Sequence, residues 1–386
     1  MAPPDAPAPS SPRPNKPERL NRLSQAEPDL VRRLTAEIRH AAAAIGRPVR
    51  LMEVCGTHTM AIFRAGLCSL IPESIRLLSG PGCPVCVTPM GYVDAAVELS
   101  RRPDVTVTTF GDMVRVPGTE SSLERERGRG ADVRIVYSPL DALRVAQERP
   151  DRKVVFLGVG FETTAPATAA TLLEARRRGA RNFLLFSAHK VVPPALRALL
   201  ASEAVALDGF ILPGHVSVVL GAAPYEFIPK EYRRAAVITG FEPLDILQAV
   251  LMLLRQIAEG KPRVEIQYSR VVRPEGNLAA RRAMAGCFAP CDTEWRGLGV
   301  LPGSGLRVCE EFGEHDAVRA LDLKVPEGRE PAGCRCGEVL RGLIEPQACP
   351  LFGTRCTTAA PVGACMVSSE GTCAAHFNFR ASERGR

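Results

Sequence analysis

Aromatic residues are scarce in this chain of 386 residues: they make up 5% of it, with a single Trp. A protein that reads nucleic acid by stacking bases on exposed rings needs more of them. The net charge of +7 is no substitute, because the basic residues are scattered. Runs such as Arg176-Arg177-Arg178 and Arg281-Arg282 fall in expected helices and read as solvated faces. No nucleic-acid partner is therefore expected. Long apolar runs are missing as well. The longest, Ala249–Leu254, is far short of the ~20 residues of a spanning helix, so no membrane partner is expected either. Residues 1–24 are rich in Pro, Ala and Ser, lack the apolar stretch of a signal peptide, and read as a disordered tail. These absences predict a cytoplasmic protein, in a compartment where thiols stay reduced.

Cysteine, by contrast, is plentiful, at thirteen residues. In a reduced compartment such a number points to metal binding or redox chemistry and away from structural disulfides. The length predicts two or three domains.

Residues 29–45 predict a helix, with Leu30, Val31, Leu34, Ile38 and Ile45 at helical spacing. A unit then recurs: a short apolar strand running into a polar loop. Expected strands are Val49–Val54, Ile75–Leu78, Val105–Phe110, Val154–Val159, Phe183–Phe186, Phe210–Leu212 and Ala236–Thr239. Helices are expected over Ala165–Arg178, Pro194–Ala201 and Pro243–Glu259. Alternating strands and helices predict parallel α/β layers, with ligands at the carboxyl ends of the strands. The expected fold is α/β: two parallel-sheet lobes facing a cleft, followed by a loop-rich C-terminal iron–sulfur domain. Its boundaries are 25–145, 146–262 and 263–386, and the charged stretch Glu120–Arg134 reads as a solvated connection.

Six cysteines fall within the last part of the chain: Cys334, Cys336, Cys349, Cys356, Cys365 and Cys373. Gly and Pro surround them, as suits loops that wrap a cluster. A cubane iron–sulfur cluster takes four thiolates. A structural zinc site also takes four, but zinc sites favour CxxC hairpins, and this array has one CxC and wider gaps. The spacing leaves open which four of the six serve as ligands. Nearer the N-terminus, Cys55 and His58 lie in Cys55-Gly56-Thr57-His58 just after a strand, where a metal site or an activated thiol would use them. Gly80-Pro81-Gly82-Cys83-Pro84-Val85-Cys86 brings the Cys83 and Cys86 thiols close enough to bridge or chelate. Cys68, Cys287, Cys291 and Cys309 read as structural, and His189 and His215 as hydrogen-bonding loop residues. Gly160-Phe161-Glu162-Thr163-Thr164 opens a helix but lacks a Walker Lys and the full dinucleotide fingerprint.

Several of these segments together resemble one family, the hydrogenase maturation factors of the HypD type. They are MEVCGTHT at Met52–Thr59, GPGCPVCVTP at Gly80–Pro89, GFETTAP at Gly160–Pro166, PGHVS at Pro213–Ser217, and the cysteine-rich run Cys336–His376. The likeness covers residues 50–379, with five motifs in order. It implies two α/β lobes and a [4Fe-4S] domain. It also implies a HypC-type chaperone and a HypE-type cyanide donor as partners in building the Fe(CN)2CO unit of [NiFe]-hydrogenase. On the same likeness, Cys334, Cys349, Cys356 and Cys373 ligate the cluster, and Cys336 and Cys365 form a dithiol. Cys83 and Cys86 form a redox pair communicating with the cluster. Cys55 and His58 take a transient iron carrying cyanide and carbonyl, the imidazole lowering the thiol pKa or accepting its proton, and Glu370 joins that site. Thr358 departs from the pattern, which has Pro there. Two other readings use the same thiols: a cluster-containing thiol–disulfide oxidoreductase, and a zinc-stabilised binding module.

Overall fold

The computed structural model describes residues 28–380 apart from 203 and 205. The expected tail over residues 1–24 lies outside the described residues. Helix α1 (Pro28–Ile45) buries Leu34, Ile38 and Ala42 and is followed by strand β1 (Val49–Glu53) and helix α2 (Gly56–Arg64). Next come β2 (Ile75–Ser79), the short helix α3 (Pro84–Val87), β3 (Val105–Thr109), β4 (Val133–Ile135) and β5 (Lys153–Gly158). Helix α4 (Ala165–Arg177) leads to β6 (Phe183–Ser187), β7 (Gly209–Pro213) and β8 (Ala235–Thr239). Helix α5 (Pro243–Glu259) leads to β9 (Val264–Ile266) and to the hairpin of β10 (Phe288–Trp295) and β11 (Gly299–Val308).

Strands β1 to β9 form two parallel sheets, in the orders β2-β1-β7-β8-β9 and β4-β3-β5-β6. The α/β class and the seven expected strands are as the sequence predicts. The division along the chain is not. A boundary at 145/146 would cut the second sheet, because β3 pairs with β5 in parallel, Val105 opposite Lys153. The first sheet is discontinuous: β1 pairs with β7, Leu51 opposite Gly209. A chain-linear reading assigns consecutive units to one sheet, and an apolar strand carries no mark of its partner. The third boundary also shifts, since β9 is the edge of the first sheet, after residue 263.

The stretch Glu120–Arg134 is likewise no solvated connection. It contains a helix, Leu123–Gly128, and the edge strand β4. Glu126 is buried at 4% exposure. It accepts from Arg101 through Nε and a terminal nitrogen, both at 3.0 Å, from Arg129 at 2.8 Å and from Ser121 at 2.6 Å. High charge in the sequence hid a buried acceptor with three donors.

The antiparallel hairpin β10–β11 is docked against the second sheet. Leu306 N–H donates to His189 O at 3.0 Å and Val191 N–H to Ser304 O at 2.9 Å. Trp295, buried, donates to Ser304 Oγ at 2.9 Å and stacks on Phe161. The helices after it are all short, among them Ala317–Ala320, Cys336–Leu340, Ala364–Val367 and Thr372–Ala375, as expected of a loop-rich cysteine segment. Among the described residues, no helix is long and apolar enough to cross a membrane.

The donors around Glu126 hold its carboxyl down at about 2, Arg101 first. A depressed carboxylate contributes stability that is present above its unfolded pKa, about 4.3, and is lost as pH falls through its folded value. Glu126→Gln is therefore expected to lower stability at pH 7 by roughly 1 kcal/mol, the arginines being half-exposed and screened, and to flatten the loss between pH 4 and 2. Urea unfolding of both proteins across that range measures it.

Candidate functional site

Because β2, β1, β7 and β8 are parallel neighbours, their carboxyl ends lie on one side of the sheet. Four loops are gathered there: Cys55 to His58 after β1, Gly80 to Cys86 after β2, Gly214-His215 after β7 and Gly240-Phe241 after β8. The first two touch through backbone. Gly56 N–H donates to Gly82 O at 2.9 Å, and Gly80 N–H to Glu53 O at 2.8 Å. A Cβ on Gly82 would stand 2.2 Å from Cys55 N. The Gly-Pro-Gly turn thus lies directly against Cys55, at a distance that only glycine permits.

Cys55 is half-buried. Burial pushes its thiol up to about 12. Glu370 and Glu53 add to this, while the backbone N–H groups of His58 and Thr57 oppose it. Glu370 comes from the far end of the chain: Thr57 Oγ1 donates to its carboxylate at 2.8 Å, and a Cβ on Gly56 would meet its Cβ at 2.5 Å. Glu53, which the sequence reading passed over, is buried beneath. It accepts from Cys55 N–H at 3.0 Å and from the Thr59 hydroxyl, and burial raises its carboxyl to about 7.

His58 is wholly buried. Its Nε2 lies 2.9 Å from Gly240 O. A carbonyl only accepts, so Nε2 carries the proton and Nδ1 presents its lone pair, which has no partner among the described residues. Burial lowers the imidazole to about 4. The ring is therefore neutral near pH 7, and it acts on Cys55 through its backbone N–H. His58 and His215 both stack on Phe241, at 4.6 and 3.9 Å. His215 is exposed and feels the charge of Glu370. Its place in PGHVS was the available signal, and only the pairing of β7 with β1 shows why it matters.

Cys83 and Cys86 are buried. Cys83 Sγ caps α3, accepting from Cys86 N–H at 3.2 Å. All six C-terminal thiols line one pocket, together with Leu351, Phe352 and Met366. The thiols form a connected chain: Cys83 with Cys86, Cys86 with Cys365, Cys365 with Cys336 and Cys373, and Cys336 with Cys334. Cys365 is its junction. Its three thiol neighbours, Cys336 first, hold it well below the usual thiol range. Cys334 is lowered to about 7, chiefly by Cys336. Cys86 is pushed up by burial, and Cys336 and Cys373 mainly by the thiols they face. Cys356 Sγ accepts from Val362 N–H at 3.3 Å, and Cys349 Sγ lies 3.9 Å from Gly333 O.

Among the described residues, no group of three or more His, Cys, Asp or Glu is arranged ready to hold a metal ion. The donor chemistry of the pocket nevertheless fits a four-thiolate cluster. It offers six thiols, and a Cβ on Gly363 would meet Cys334 Sγ at 2.8 Å, so bare backbone borders the sulfur. The remaining residues are internally satisfied. His189 meets Thr168 Oγ1 at 3.3 Å and Ser187 Oγ at 3.2 Å. Cys287 Sγ contacts Ala169 O and Cys309 Sγ contacts Gly286 O, both at 3.5 Å.

A family model described as HypD, hydrogenase formation hypA family, matches residues 29–380. The chain belongs to the HypD family of hydrogenase maturation factors. It is 48% identical over 355 residues to the hydrogenase maturation factor HypD of Escherichia coli strain K12, covering 92% of this chain and 95% of that one. It is 48% identical over 362 residues to the HypD of Rhodobacter capsulatus, covering 92% and 96%. The HypD of Azotobacter vinelandii is 50% identical over 355 residues, covering 90% and 93%. The five motifs of this HypD family member thus come together as three loops on one sheet edge, the helix opening at Ala165 and a C-terminal thiol pocket.

Gly82→Ala tests the close approach. The added methyl overlaps backbone, so the change is expected to cost about 1–3 kcal/mol. Val85→Ala, on the same turn, is expected to cost less. Thermal unfolding of the two variants measures the difference, and equal values would show that the turn does not press on Cys55.

Proposed function

We propose that this chain is the scaffold and redox component on which the Fe(CN)2CO unit of [NiFe]-hydrogenase is assembled in the cytoplasm, together with a HypC-type chaperone and a HypE-type cyanide donor. Family membership supports the broad role. The observation that carries the finer one is the run of thiols from Cys83 to Cys334, which begins on the turn that touches Cys55.

In this reading iron is substrate and cargo. Cys55 binds it as thiolate: a thiol held as high as about 12 keeps its proton until the metal cation displaces it, and the proton is released to solvent. Soft thiolate suits iron that carries cyanide and carbonyl. Glu370 stands close enough to act on this thiol and is a further donor, His215 lies close enough to Glu370 to feel its charge, and the neutral His58 offers an imidazole lone pair. Cys334, Cys349, Cys356 and Cys373 would hold a [4Fe-4S] cluster, which supplies one-electron chemistry when bound. Starting from a Cys83–Cys86 disulfide, the Cys365 thiolate attacks Cys86 and releases Cys83, and Cys336 then attacks Cys365 and releases Cys86, so the disulfide moves to Cys336–Cys365 and the CxxC pair is left reduced.

The Cys55 assignment is tested by infrared spectroscopy of protein purified without oxygen with a HypC-type partner co-expressed. Cys55→Ala is expected to abolish the bands of iron-bound diatomic ligands and to leave the visible absorbance of the cluster unchanged. Bands of normal intensity in the folded variant would remove Cys55 as the iron ligand. Wild-type protein that lacks such bands but exchanges disulfides with other proteins would favour the oxidoreductase reading.

The cluster is tested by metal content. Anaerobic protein is expected to be brown and to hold about four cluster irons per chain. Cys356→Ala should bleach it and lower the unfolding temperature, since a lost ligand also removes folding energy. Stoichiometric zinc without visible absorbance would establish the zinc-stabilised module instead.

A further inference from the structure

Arg296 stands in the turn between β10 and β11, and its side chain is 1% exposed. Its Nε donates to Thr88 O at 3.1 Å, but both terminal nitrogens are buried without a partner among the described residues. A guanidinium is charged at any pH a protein experiences, and burying that charge without an acceptor is strongly unfavourable. The carboxylate of Glu330 lies 3.4 Å from Nε and is half-exposed, so solvent screens it.

The turn that carries Arg296 is wedged between the two thiol segments. On one side, Arg296 N–H donates to Val87 O at 2.9 Å, next in sequence to Cys86. On the other, Gly297 lies so close to Gly337, beside Cys336, that a Cβ on it would stand 2.5 Å from Gly337 Cα. Glu330, the neighbour of Arg296, is also close enough to Cys334 to act on its thiol. A positive charge answered in the fold only by the half-exposed Glu330 is therefore carried by a turn that lies between the two thiol segments.

We propose that Arg296 is the buried counter-charge of the cysteine pocket, a positioning residue that sets how readily a cluster held there is reduced. The inference rests on the cluster reading given above. A four-thiolate cluster site is anionic, and net charge and hydrogen bonding set its potential. One-electron reduction adds a further negative charge, which a nearby fixed cation favours. Removing the cation makes reduction harder. Loosened packing acts in the opposite direction, because admitted water stabilises the more charged, reduced form. The sign of the change separates the two roles.

The experiment is a redox titration of the full chain, reconstituted anaerobically with iron and sulfide and followed by electron paramagnetic resonance, on wild type, Arg296→Met, Arg296→Gln and Arg296→Lys. At a fixed solution potential, the ratio of reduced to oxidised cluster is expected to fall about tenfold in Arg296→Met, a shift of −59 mV for a one-electron couple. Arg296→Lys is expected to stay near wild type. Loss of the cluster in the Met and Gln variants with retention in the Lys variant would also support the counter-charge. An unchanged or raised potential in Arg296→Met, or loss of the cluster in all three variants, would overturn it while leaving the cluster reading intact. A wild-type chain that takes up no cluster would overturn both.

Discussion

The candidate site depends on how closely two loops approach at the carboxyl end of the first sheet. Parallel pairing of β1 with β2 brings Glu53 opposite Ser79, so the chain must turn twice in the same small volume. Gly56 and Gly82 make that possible. Each lacks a side chain where a Cβ would strike backbone: Gly82 against Cys55, Gly56 against Glu370. The first contact ties the CxxC turn to Cys55. The second ties the C-terminal segment to the start of α2. Two glycines thus bring together residues from both ends of the chain around one thiol.

Burial does the rest. Glu53 and Glu162 are wholly buried carboxyls raised to about 7, and His58 and His189 are buried imidazoles lowered to about 4 and about 3. In each case desolvation is the first cause, because a charge in a low-dielectric interior is unfavourable. The interior near Cys55 therefore favours neutral groups. Among the described residues Glu162 keeps one oxygen without a partner, while the other accepts from Val192 N–H at 2.9 Å. Half-satisfied buried polar groups of this kind are rare in purely structural positions.

Much of this was legible in the sequence, and the reasons for the gaps are specific. Strand positions were readable because a buried parallel strand is a short apolar run: Val105–Phe110 and Phe183–Phe186 stand out from polar surroundings. α5 was readable to the residue, with Pro243 fixing its start and Gly260 its left-handed end (φ 63°). What apolar runs do not encode is pairing, so the crossing from β2 to β7 was invisible and the lobes were divided wrongly. Charge content misled at Glu126, where three donors compensate one buried carboxylate. Glu370 was legible only through family likeness, since nothing in Ser368-Ser369-Glu370-Gly371 announces a contact with a residue 313 positions earlier.

The cysteines show the same limit most clearly. Spacing separates a CxxC near the N-terminus from an array some 250 residues later, and on spacing alone they are two sites. In the folded chain Cys86 faces Cys365, so they are one. Cys365 meets Cys86, Cys336 and Cys373 at once, yet a sulfur makes only one disulfide at a time. Exchange at a junction is therefore a choice among partners: a bond from Cys365 to Cys86 excludes a bond from Cys365 to Cys336. In the exchange proposed above a thiolate attacks and a disulfide breaks in the same step, so a disulfide moved between the two motifs would have to pass through Cys365. The same three neighbours lower its thiol below the usual range. The contact that makes the two motifs one site also makes Cys365 the sulfur on which their coupling turns.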